Sequence, residues 1–483
     1  MKYSIFFKKI KNKITPLEAY QALGARPPAV LLESARVLPG QGRYSLAAGN
    51  PSHIFQYCQG QTTIKVRGKK NKVVRGRPLL HLKRLLASRR VTRKPGDLSF
   101  CGGAVGFAGY EAKKIMEPSL STSAREDLGL PWMYFLLIDE GVLFDHQKKQ
   151  ALLFCVHRKA GLAGRRLSIL EKKILSFFSK KRKRAKKKTQ PKRTPSLPKI
   201  SASVNRREFI SMVQRAKSFI RQGDIFQANL SQRLSFSLNE PVETVYEKLK
   251  KVNPSSFFGI LDAGHFQILS GSPERLLKLE GDRLQTRPIA GTRARGRGPQ
   301  KDRAVSLELL INEKERAEHI MLVDLERNDL GRVAEYGSVR VDELMTIENY
   351  SHVKHLVSAI SADLKTGLDA VDAFSAFFPG GTITGAPKIR SMQIIDQLEP
   401  VARGPYTGSL GYFSFTGDMD FNIIIRSLVV KDGVAHLQVG AGIVADSDPE
   451  KEYDETLYKA EAVLTALFGA GGTRAILQQL RKP

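Results

Sequence analysis

The sequence has few cysteines and no long apolar run. Three of its 483 residues are cysteine, Cys58, Cys101 and Cys155, and none stands in a CxxC or Cys/His pattern with metal-ligand spacing. They are too few and too scattered for a disulfide framework. No stretch approaches the roughly 20 apolar residues of a membrane span, and lysines interrupt the N-terminal segment before a secretory apolar core could form. We therefore expect a soluble protein of the reducing cytoplasm, without a membrane partner.

Acidic residues are also scarce, with 47 Asp and Glu against 78 Lys and Arg, a formal net charge of +31. Clustered cations favour nucleic acid, because they release the counterions of phosphates. Residues 180–193, however, combine many lysines and arginines with no acid, which predicts a solvated, disordered connector at residues 179–200. No zinc-finger, RNP or helix-turn-helix pattern supports nucleic-acid binding, so a nucleic-acid-binding or scaffold protein is the remote alternative.

The pattern of apolar residues differs between the regions before and after this connector. Residues 1–178 alternate short apolar runs with Gly/Pro turns, which predicts strands of a mixed sheet with few long helices. Residues 201–472 combine amphipathic helices with strands, and this C-terminal region begins with a helix that Asn205 caps. The fold class is α+β. Further strands are predicted at 257–263, 265–271, 421–430 and 434–444, and further helices around 303–324, 369–377, 386–397 and 450–468.

Two Glu-x-x-Glu pairs stand on predicted helices, Glu315 with Glu318 and Glu452 with Glu455. The two carboxylates of a pair share one helix face at this spacing. Mg²⁺ accepts one or two carboxylates and keeps several waters, so each pair could hold this ion. A solvated helix face is the alternative for any isolated pair. The apolar run that follows Glu318 favours a cleft instead.

Other polar groups stand in apolar or glycine-rich surroundings. Arg426 lies within the apolar segment 421–430, where a guanidinium needs an anion, either a structural carboxylate or a ligand. The glycine-rich turns at 377–388 and 438–449 would let backbone N–H groups approach an anion, although neither matches a phosphate-binding loop. His355 alone would be a core residue more often than a catalyst. Neither composition nor spacing names the substrate.

Eight longer segments carry a family resemblance. They are GDIFQANLSQR, GSPERLL, TRPIAGTRARG, KERAEHIMLVDLERNDLGRV, YSHVKHLVS, FPGGTITGAPKIRSMQIIDQLEP, RGPYTGSLGYF and GAGIVADSDPEKEYDETLYKA. Together, and in this order, they resemble the chorismate-utilising enzyme family, which includes the large subunits of anthranilate synthase and aminodeoxychorismate synthase. The resemblance implies a two-domain α/β sandwich of large antiparallel sheets with outer helices, and an active site in a cleft between the sheets.

The resemblance also implies roles for individual residues. Glu318 and Glu455 look like Mg²⁺ ligands supported by Glu315 and Glu452, with the metal holding the ring carboxylate of chorismate. Glu274 matches the general acid that protonates the leaving hydroxyl, a task for a carboxyl held protonated by its surroundings. The positions similar to substrate-binding residues are Tyr406, Arg426, Gly440, Ala441, Gly442, Ala290 and Lys459, and those beside the pyruvyl group are His355 and Thr382.

Gln227 indicates the nucleophile. Family members that add water carry a lysine base at the matching position, so glutamine there points to ammonia. The chain shows no convincing glutaminase, since a cysteine nucleophile would need a tight turn and a histidine partner. The implied partner is therefore a separate glutamine amidotransferase subunit that supplies ammonia.

Two products stay open at this point. The segments QANLSQR, PGGTITGAPK and MDFNIIIR, with Asn422, look closer to aminodeoxychorismate synthase than to anthranilate synthase. Ala290 departs from this pattern, because many aminodeoxychorismate synthases carry a lysine there that attacks the ring.

A possible regulatory pocket is implied by two further segments. Those at 31–34 and 253–258 are similar to the tryptophan feedback pocket of anthranilate synthases, although Ser256 replaces the usual proline. The residues concerned are Leu32, Glu33, Ser34, Asn253 and Pro254.

Overall fold

The computed structural model describes most of the chain as helices and strands. The described residues are 2–11, 13–24, 26–34, 42–91, 98–121, 123–185, 197–296, 298–349 and 353–482. The helices are α1 (Pro16–Leu23), α2 (Pro78–Ala87), α3 (Lys113–Met116), α4 (Ala160–Ala185), α5 (Arg206–Arg221), α6 (Val242–Val252), α7 (Pro299–Ile311), α8 (Glu313–Gly331), α9 (Ala370–Phe377), α10 (Lys388–Leu398) and α11 (Pro449–Leu480). The strands are β1 (Ser4–Lys9), β2 (Ala29–Glu33), β3 (Tyr44–Gly49), β4 (His53–Cys58), β5 (Gln61–Val66), β6 (Lys72–Arg75), β7 (Gly103–Ala108), β8 (Met133–Ile138), β9 (Glu140–Asp145), β10 (Gln150–His157), β11 (Ser201–Ala202), β12 (Gln227–Ser237), β13 (Phe257–Asp262), β14 (Gln267–Ser272), β15 (Arg275–Glu280), β16 (Arg283–Arg287), β17 (Ile289–Ala294), β18 (Arg340–Asn349), β19 (Val353–Asp363), β20 (Gly385–Ala386), β21 (Ser409–Ser414), β22 (Met419–Asn422), β23 (Ser427–Lys431) and β24 (Val434–Ile443).

The strands form two large antiparallel sheets, which confirms the predicted fold. The first has the order β1-β10-β9-β3-β2-β13-β14-β23-β24-β12-β11, with β20 beside β12. The second has the order β17-β19-β16-β15-β22-β21-β7-β8-β4-β5-β6, with β18 beside β19. The regions before and after the basic connector share both sheets, because β2 pairs with β13 in the first and β7 pairs with β21 in the second. Strands of residues 1–178 and 201–472 are therefore interleaved.

Strand β8 shows why the sheets stack as layers. Its side chains alternate between two apolar cores, as the period of two along a strand requires. Met133, Phe135 and Leu137 pack in a core with residues of α2, α8 and α9. Tyr134 and Leu136 point the other way, into a core shared with strands of the first sheet. Because both faces are covered, the strand is apolar throughout, and the hydrophobic effect holds helices outside and sheets inside.

Two chain segments cross from one sheet to the other, and they position the candidate site. Glu274 lies between β14 of the first sheet and β15 of the second. Arg426 lies in the neighbouring crossing, between β22 of the second sheet and β23 of the first, and the Ile423 N–H donates to the Glu274 carbonyl at 3.1 Å. The predicted single strand at 421–430 is therefore wrong. The segment is apolar because it joins two buried strands, and Arg426 turns the chain with a φ of +51°.

Two helix predictions also need correction. The predicted helix around 303–324 is two helices, since the Asn312 side chain accepts a hydrogen bond from the Glu315 N–H at 3.0 Å and starts α8 there. Residues 180–185, predicted as disordered connector, continue α4. Apolar residues of α4 at helical spacing pack in the core of the first sheet, and a helix anchored in this way propagates beyond its buried part. Residues 186–196 lie outside the described residues.

The remaining helix predictions agree with the structure. Asn205 caps α5 by accepting from the Glu208 N–H at 2.9 Å, and the Asn205 N–H donates to Glu208 Oε2 at 2.7 Å. α9, α10 and α11 stand where the apolar periodicity predicts them, and α11 bends at Gly469. Among the described helices, none is both long and apolar enough to cross a membrane.

Candidate active site

Glu274 is a buried carboxyl at the crossing between the sheets. Its side chain accepts a hydrogen bond from Thr382 Oγ1 at 2.7 Å, and the residue is 6% exposed. Burial raises the pKa of Glu274 to about 7, although the Thr382 hydroxyl, the Ile289 backbone and the nearby cations Arg426 and Lys459 oppose this shift. A carboxyl of this kind can hold its proton near neutral pH and deliver it to a leaving group.

His355 is a neutral imidazole on β19. The residue is 1% exposed, and burial together with the charge of Arg426 lowers its pKa to about 3, against a hydrogen bond with the Gly291 backbone. Since Arg426 influences the pKa of both Glu274 and His355, the three side chains converge on one region. The structure thus brings His355 and Arg426 near Glu274, and their predicted roles stay predictions.

Two glycines of β24 let neighbouring side chains approach the strand closely. A Cβ atom on Gly440 would stand 2.8 Å from the Tyr406 hydroxyl, and one on Gly442 would stand 2.6 Å from Gln227 Nε2. Only glycine fits at such close approach. Ala441 points its methyl group into the opposite, helix-facing core. Tyr406 therefore lies beside Gly440, and Gln227 lies beside Gly442.

Among the described residues, no strand pairs with one edge of this stretch of β24. Its pairing with β23 ends at Leu437, whereas its pairing with β12 continues to Ile443. Lys459 of α11 uses this edge, where its Nζ donates to the Gly440 carbonyl at 3.0 Å. Backbone groups along an edge of this kind are available to a ligand carboxylate.

The predicted metal ligands lie on α8 and α11, as the helix prediction requires. Glu315 is half-buried, pairs with Arg293 at 2.9 Å, and its Oε2 would lie 2.9 Å from a Cβ on Gly291, whose backbone bonds His355. Glu318 is also half-buried. Glu452 is buried at the start of α11, and Glu455 pairs with Lys459 at 2.7 Å.

These oxygen donors fit Mg²⁺ in kind. In the part of the chain that the structure describes, no group of three or more His, Cys, Asp or Glu residues forms a ready metal site. Mg²⁺ does not require such a group, because one or two carboxylates with waters or substrate oxygens complete its shell. Arg293 and Lys459 occupy two of the carboxylates, so an arriving cation would displace these ion pairs. The assignment of Mg²⁺ stays a prediction.

Glu326 is a site residue that the sequence reasoning missed. It lies eight residues after Glu318 on the buried face of α8, and its Oε2 is 2.8 Å from Thr286 Oγ1. The Thr286 hydroxyl also contacts the Leu276 carbonyl at 2.9 Å. The Thr286 hydroxyl has a single proton for the Glu326 carboxyl and the Leu276 carbonyl, so a protonated Glu326 could complete both contacts. Burial, with the nearby Asp329, raises the pKa of Glu326 to about 8, although the charge of Lys388 and the hydrogen bond with Thr286 oppose this shift.

Arg403 is a second residue that the sequence reasoning missed. It hydrogen-bonds two separate segments beside the site. Its guanidinium is fully buried and pairs with Glu399 through Nε and Nη2 at 2.9 and 2.7 Å. It also donates to the Ile383 carbonyl at 3.0 Å, next to Thr382, and to the Asn229 carbonyl at 2.5 Å, on β12. The segment RGPYTG shows the arginine, but only the tertiary structure shows what it binds.

Ala290 lies on β17 between Ile289 and Gly291, whose backbones hydrogen-bond Glu274 and His355. Ala290 is half-buried on β17 opposite Leu356. Leu32, Glu33 and Ser34 line a cavity of about 310 Å³ between the sheets, where Ser256 also contributes. Asn253 and Pro254 are not among the residues that line it; Asn253 ends α6. Glu33 is engaged by Lys250 at 2.5 Å. The regulatory role stays a prediction.

Comparison with known proteins identifies clear relatives. A family model described as chorismate binding enzyme matches residues 41–465. The chain is 43% identical over 465 residues to aminodeoxychorismate synthase component 1 of Bacillus subtilis, covering 95% of this chain and 96% of the relative. It is 38% identical over 481 residues to anthranilate synthase component 1 of Acetivibrio thermocellus, covering 95% and 94%. The crystal structure of anthranilate synthase component I from Streptococcus pneumoniae superposes with a TM-score of 0.74 at 35% identity, covering 89% of this chain and 93% of that one.

Proposed function

Because the chain belongs to the chorismate binding enzyme family, we propose that it aminates chorismate to 4-amino-4-deoxychorismate as the large component of a two-component synthase. The observation that carries this proposal is the 43% identity, over nearly the full length of both chains, to an aminodeoxychorismate synthase component 1. The segments QANLSQR and MDFNIIIR point in the same direction.

Glu274 would act as the general acid in this reaction. Ammonia forms the new C–N bond, the bond between the ring and its hydroxyl breaks, and the Glu274 proton leaves with the hydroxyl as water. The ammonium group so formed gives up one proton, which can return to the Glu274 carboxylate. Protons and electrons then balance, and no oxidant is needed.

Arg426, Tyr406 and the β24 backbone would hold the enolpyruvyl carboxylate. A guanidinium can bind a carboxylate through two parallel hydrogen bonds. His355 is buried and its lowered pKa keeps it neutral, so it adds no charge beside the Arg426 guanidinium. Substrate held in this way keeps its ring next to Glu274, whose pKa responds to Arg426.

Glu318 and Glu455, supported by Glu315 and Glu452, would bind Mg²⁺. When bound, the ion would hold the ring carboxylate and stabilise the charge that develops as the hydroxyl leaves. We expect Glu318→Gln and Glu455→Gln to raise the Mg²⁺ concentration that gives half-maximal turnover by about 10- to 100-fold. Glu461→Gln, an exposed change on α11, is the control, and an unchanged Mg²⁺ requirement in both test variants would refute the assignment.

Ammonia would come from a glutamine amidotransferase subunit. No glutaminase motif is evident in the sequence, and two similar proteins bear the name component 1. Ammonium salts should replace the partner in the test tube.

Anthranilate synthase is the second candidate. Ala290 favours it, because it replaces the lysine that many aminodeoxychorismate synthases use against the ring. The anthranilate synthase relative is also similar over 95% of the chain.

Pyruvate separates the two candidates. Anthranilate formation releases pyruvate, whereas 4-amino-4-deoxychorismate retains the enolpyruvyl group. The purified chain is incubated with chorismate, Mg²⁺ and ammonium, and pyruvate is followed by coupled NADH oxidation while anthranilate is followed by fluorescence. Chorismate consumption without pyruvate supports the proposal, and equal amounts of pyruvate and anthranilate would replace it with the alternative.

A further inference from the structure

Arg403 uses every donor of its guanidinium. The Nε–H and one Nη2–H donate to the Glu399 carboxylate at 2.9 and 2.7 Å. The second Nη2–H donates to the Asn229 carbonyl at 2.5 Å. The two Nη1–H groups donate to the Ile383 carbonyl at 3.0 Å and to Thr407 Oγ1 at 3.3 Å. A guanidinium has five N–H groups, so all of them have acceptors within the protein.

The ion pair at the centre of this network is buried. Arg403 is 2% exposed and Glu399 is 4% exposed. Glu399 Oε1 also accepts from the Ser231 backbone N–H at 2.8 Å and from the Ser231 hydroxyl at 2.9 Å. A buried ion pair needs such additional hydrogen bonds, because they offset the loss of water around the charges. Since Ser231 and Asn229 both belong to β12, the pair is attached to this strand at two points.

Two of the other acceptors stand next to predicted site residues. Ile383 follows Thr382, whose hydroxyl donates to Glu274 Oε1 at 2.7 Å. Thr407 follows Tyr406, and the Thr407 hydroxyl donates to the Tyr406 carbonyl at 2.6 Å. One guanidinium therefore links the residue that contacts the predicted acid with the residue predicted to bind the substrate carboxylate.

The linked segments come from distant parts of the chain. They are β12, the turn at Gly381–Ile383 and the residues just before β21. Thr407 has a φ of +58°, a conformation that residues other than glycine adopt rarely and keep only where their surroundings hold it. The contact with Arg403 is one of the interactions that hold it.

We propose that Arg403 is a positioning residue for the reaction, which fixes Thr382 and Tyr406 relative to each other and to β12. This inference rests on the proposed function, which gives Glu274 and Tyr406 their roles. Arg403 has no donor left for a ligand, so it acts through these neighbours and does not bind the substrate.

Arg403→Lys tests the link to Thr382. Lysine keeps the charge beside Glu399, but its three donors share one nitrogen and cannot reach all the acceptors. Burial raises the pKa of Glu274, and the hydrogen bond from Thr382 opposes this rise. Once Thr382 is no longer fixed, the pKa of Glu274 should increase by about half a unit to one unit. Infrared titration of this carboxyl, assigned by its absence in Glu274→Gln, measures the pKa without turnover.

Other charged groups also act on Glu274. Arg426 and Lys459 lower its pKa, and Glu326 interacts with it electrostatically. The substitutions that test the network leave these three side chains in place.

Thr382→Val completes a double-mutant cycle with Arg403→Lys. It removes the hydroxyl and should raise the pKa of Glu274 at least as much, and the double variant should show no further rise. Arg89→Lys is the control, because Arg89 also belongs to a mostly buried ion pair, with Asp139 at 3.2 Å. Arg89 contacts β4, toward the opposite end of the second sheet from β17 and β19, so this change should leave the pKa of Glu274 unaltered.

Thr407→Val tests the link to Tyr406 and leaves the ion pair intact. Valine keeps the shape but neither accepts from Arg403 nor donates to the Tyr406 carbonyl. The dissociation constant for chorismate, measured by calorimetry with Mg²⁺ and without ammonium, should rise about three- to fivefold. Thr473→Val, on the C-terminal part of α11, is the matched control. The buried Thr473 hydroxyl likewise accepts one hydrogen bond, at 3.3 Å, and donates one to a carbonyl, at 2.8 Å.

The outcomes separate this inference from the proposed function. If the unaltered chain does not aminate chorismate with ammonium, the proposed function fails, whatever the pKa values are. An unchanged pKa of Glu274 in folded Arg403→Lys, or rises that add in the double variant, would overturn the inference and leave the amination in place. If Arg403→Lys does not fold, Thr407→Val decides, and a dissociation constant within twofold of that of Thr473→Val would overturn the inference.

Discussion

The two sides of the candidate site differ in kind. Beside the second sheet, Glu274, His355 and Glu326 are buried titratable groups, and burial raises the pKa of the two carboxyls to about 7 and about 8 and lowers that of the histidine to about 3. On the side of the first sheet, β12 and β24 present amides, glycines and backbone, with no buried titratable carboxyl among their inner-face residues. Under the proposed function, this difference would assign proton transfer and substrate binding to different walls of the site, with Glu274 and Arg426 in the two crossings between the sheets.

Replacing the Glu274 carboxyl should have the largest effect on turnover. Glu274→Gln keeps the shape and can still accept from Thr382, but it has no proton to give. We expect kcat to fall about 10²- to 10⁴-fold while the KM for chorismate stays within about threefold. Steady-state kinetics with ammonium as nitrogen source measure both values. A larger effect on the KM for chorismate than on kcat would show that Glu274 binds the substrate and does not donate the proton.

Arg426 should show the reverse pattern. Arg426→Lys keeps the charge and the same backbone preference but loses the two-pronged contact with a carboxylate. The KM for chorismate should rise about tenfold, with a smaller change in kcat. Arg221→Lys, a change at the exposed end of α5, is the control. An unaltered KM for chorismate would show that Arg426 does not bind the substrate.

The pH profile sharpens the comparison further. Burial raises the pKa of Glu274 to about 7, so the protonated acid is lost as the pH rises through that value. kcat/KM for chorismate should therefore fall toward tenfold per unit above about pH 7, when the concentration of uncharged ammonia is held constant. A profile that stays flat to pH 9 would contradict a single essential acid at this position.

Glu326 should give the smallest effect on turnover and a clear effect on stability. Its pKa in the folded chain is raised to about 8, so folding takes up a proton between about pH 4.5 and 8, and the free energy of unfolding decreases as the pH rises through this window. Glu326→Gln cannot ionise and should flatten the dependence of the melting temperature on pH by several °C between pH 6 and 8.5, with turnover within about threefold. Thermal unfolding of both proteins across this range is the measurement. Parallel curves would show that Glu326 is not the protonated group.

Local patterns predicted part of this arrangement. The fold, the capped helix at Asn205 and the placing of both Glu-x-x-Glu pairs on helices follow from period and capping, together with the family resemblance. The apolar segment at 421–430 was misleading, because two buried strands of different sheets look like one strand in sequence. Glu326 and Arg403 escaped notice because Thr286 and the Ile383 carbonyl are distant from them in the sequence. Glu399 is only four residues before Arg403, but no pattern in the sequence marks it as a partner.

Nitrogen labelling tests the central claim most directly. The chain is incubated with chorismate, Mg²⁺ and ¹⁵N-ammonium at pH 7.5, and the products are separated and identified by mass. We predict one ¹⁵N atom in a product that retains the enolpyruvyl group, with water as the only group lost. Conversion of chorismate to an isomer without ¹⁵N would contradict the account, because it would show that water, not ammonia, attacks the ring.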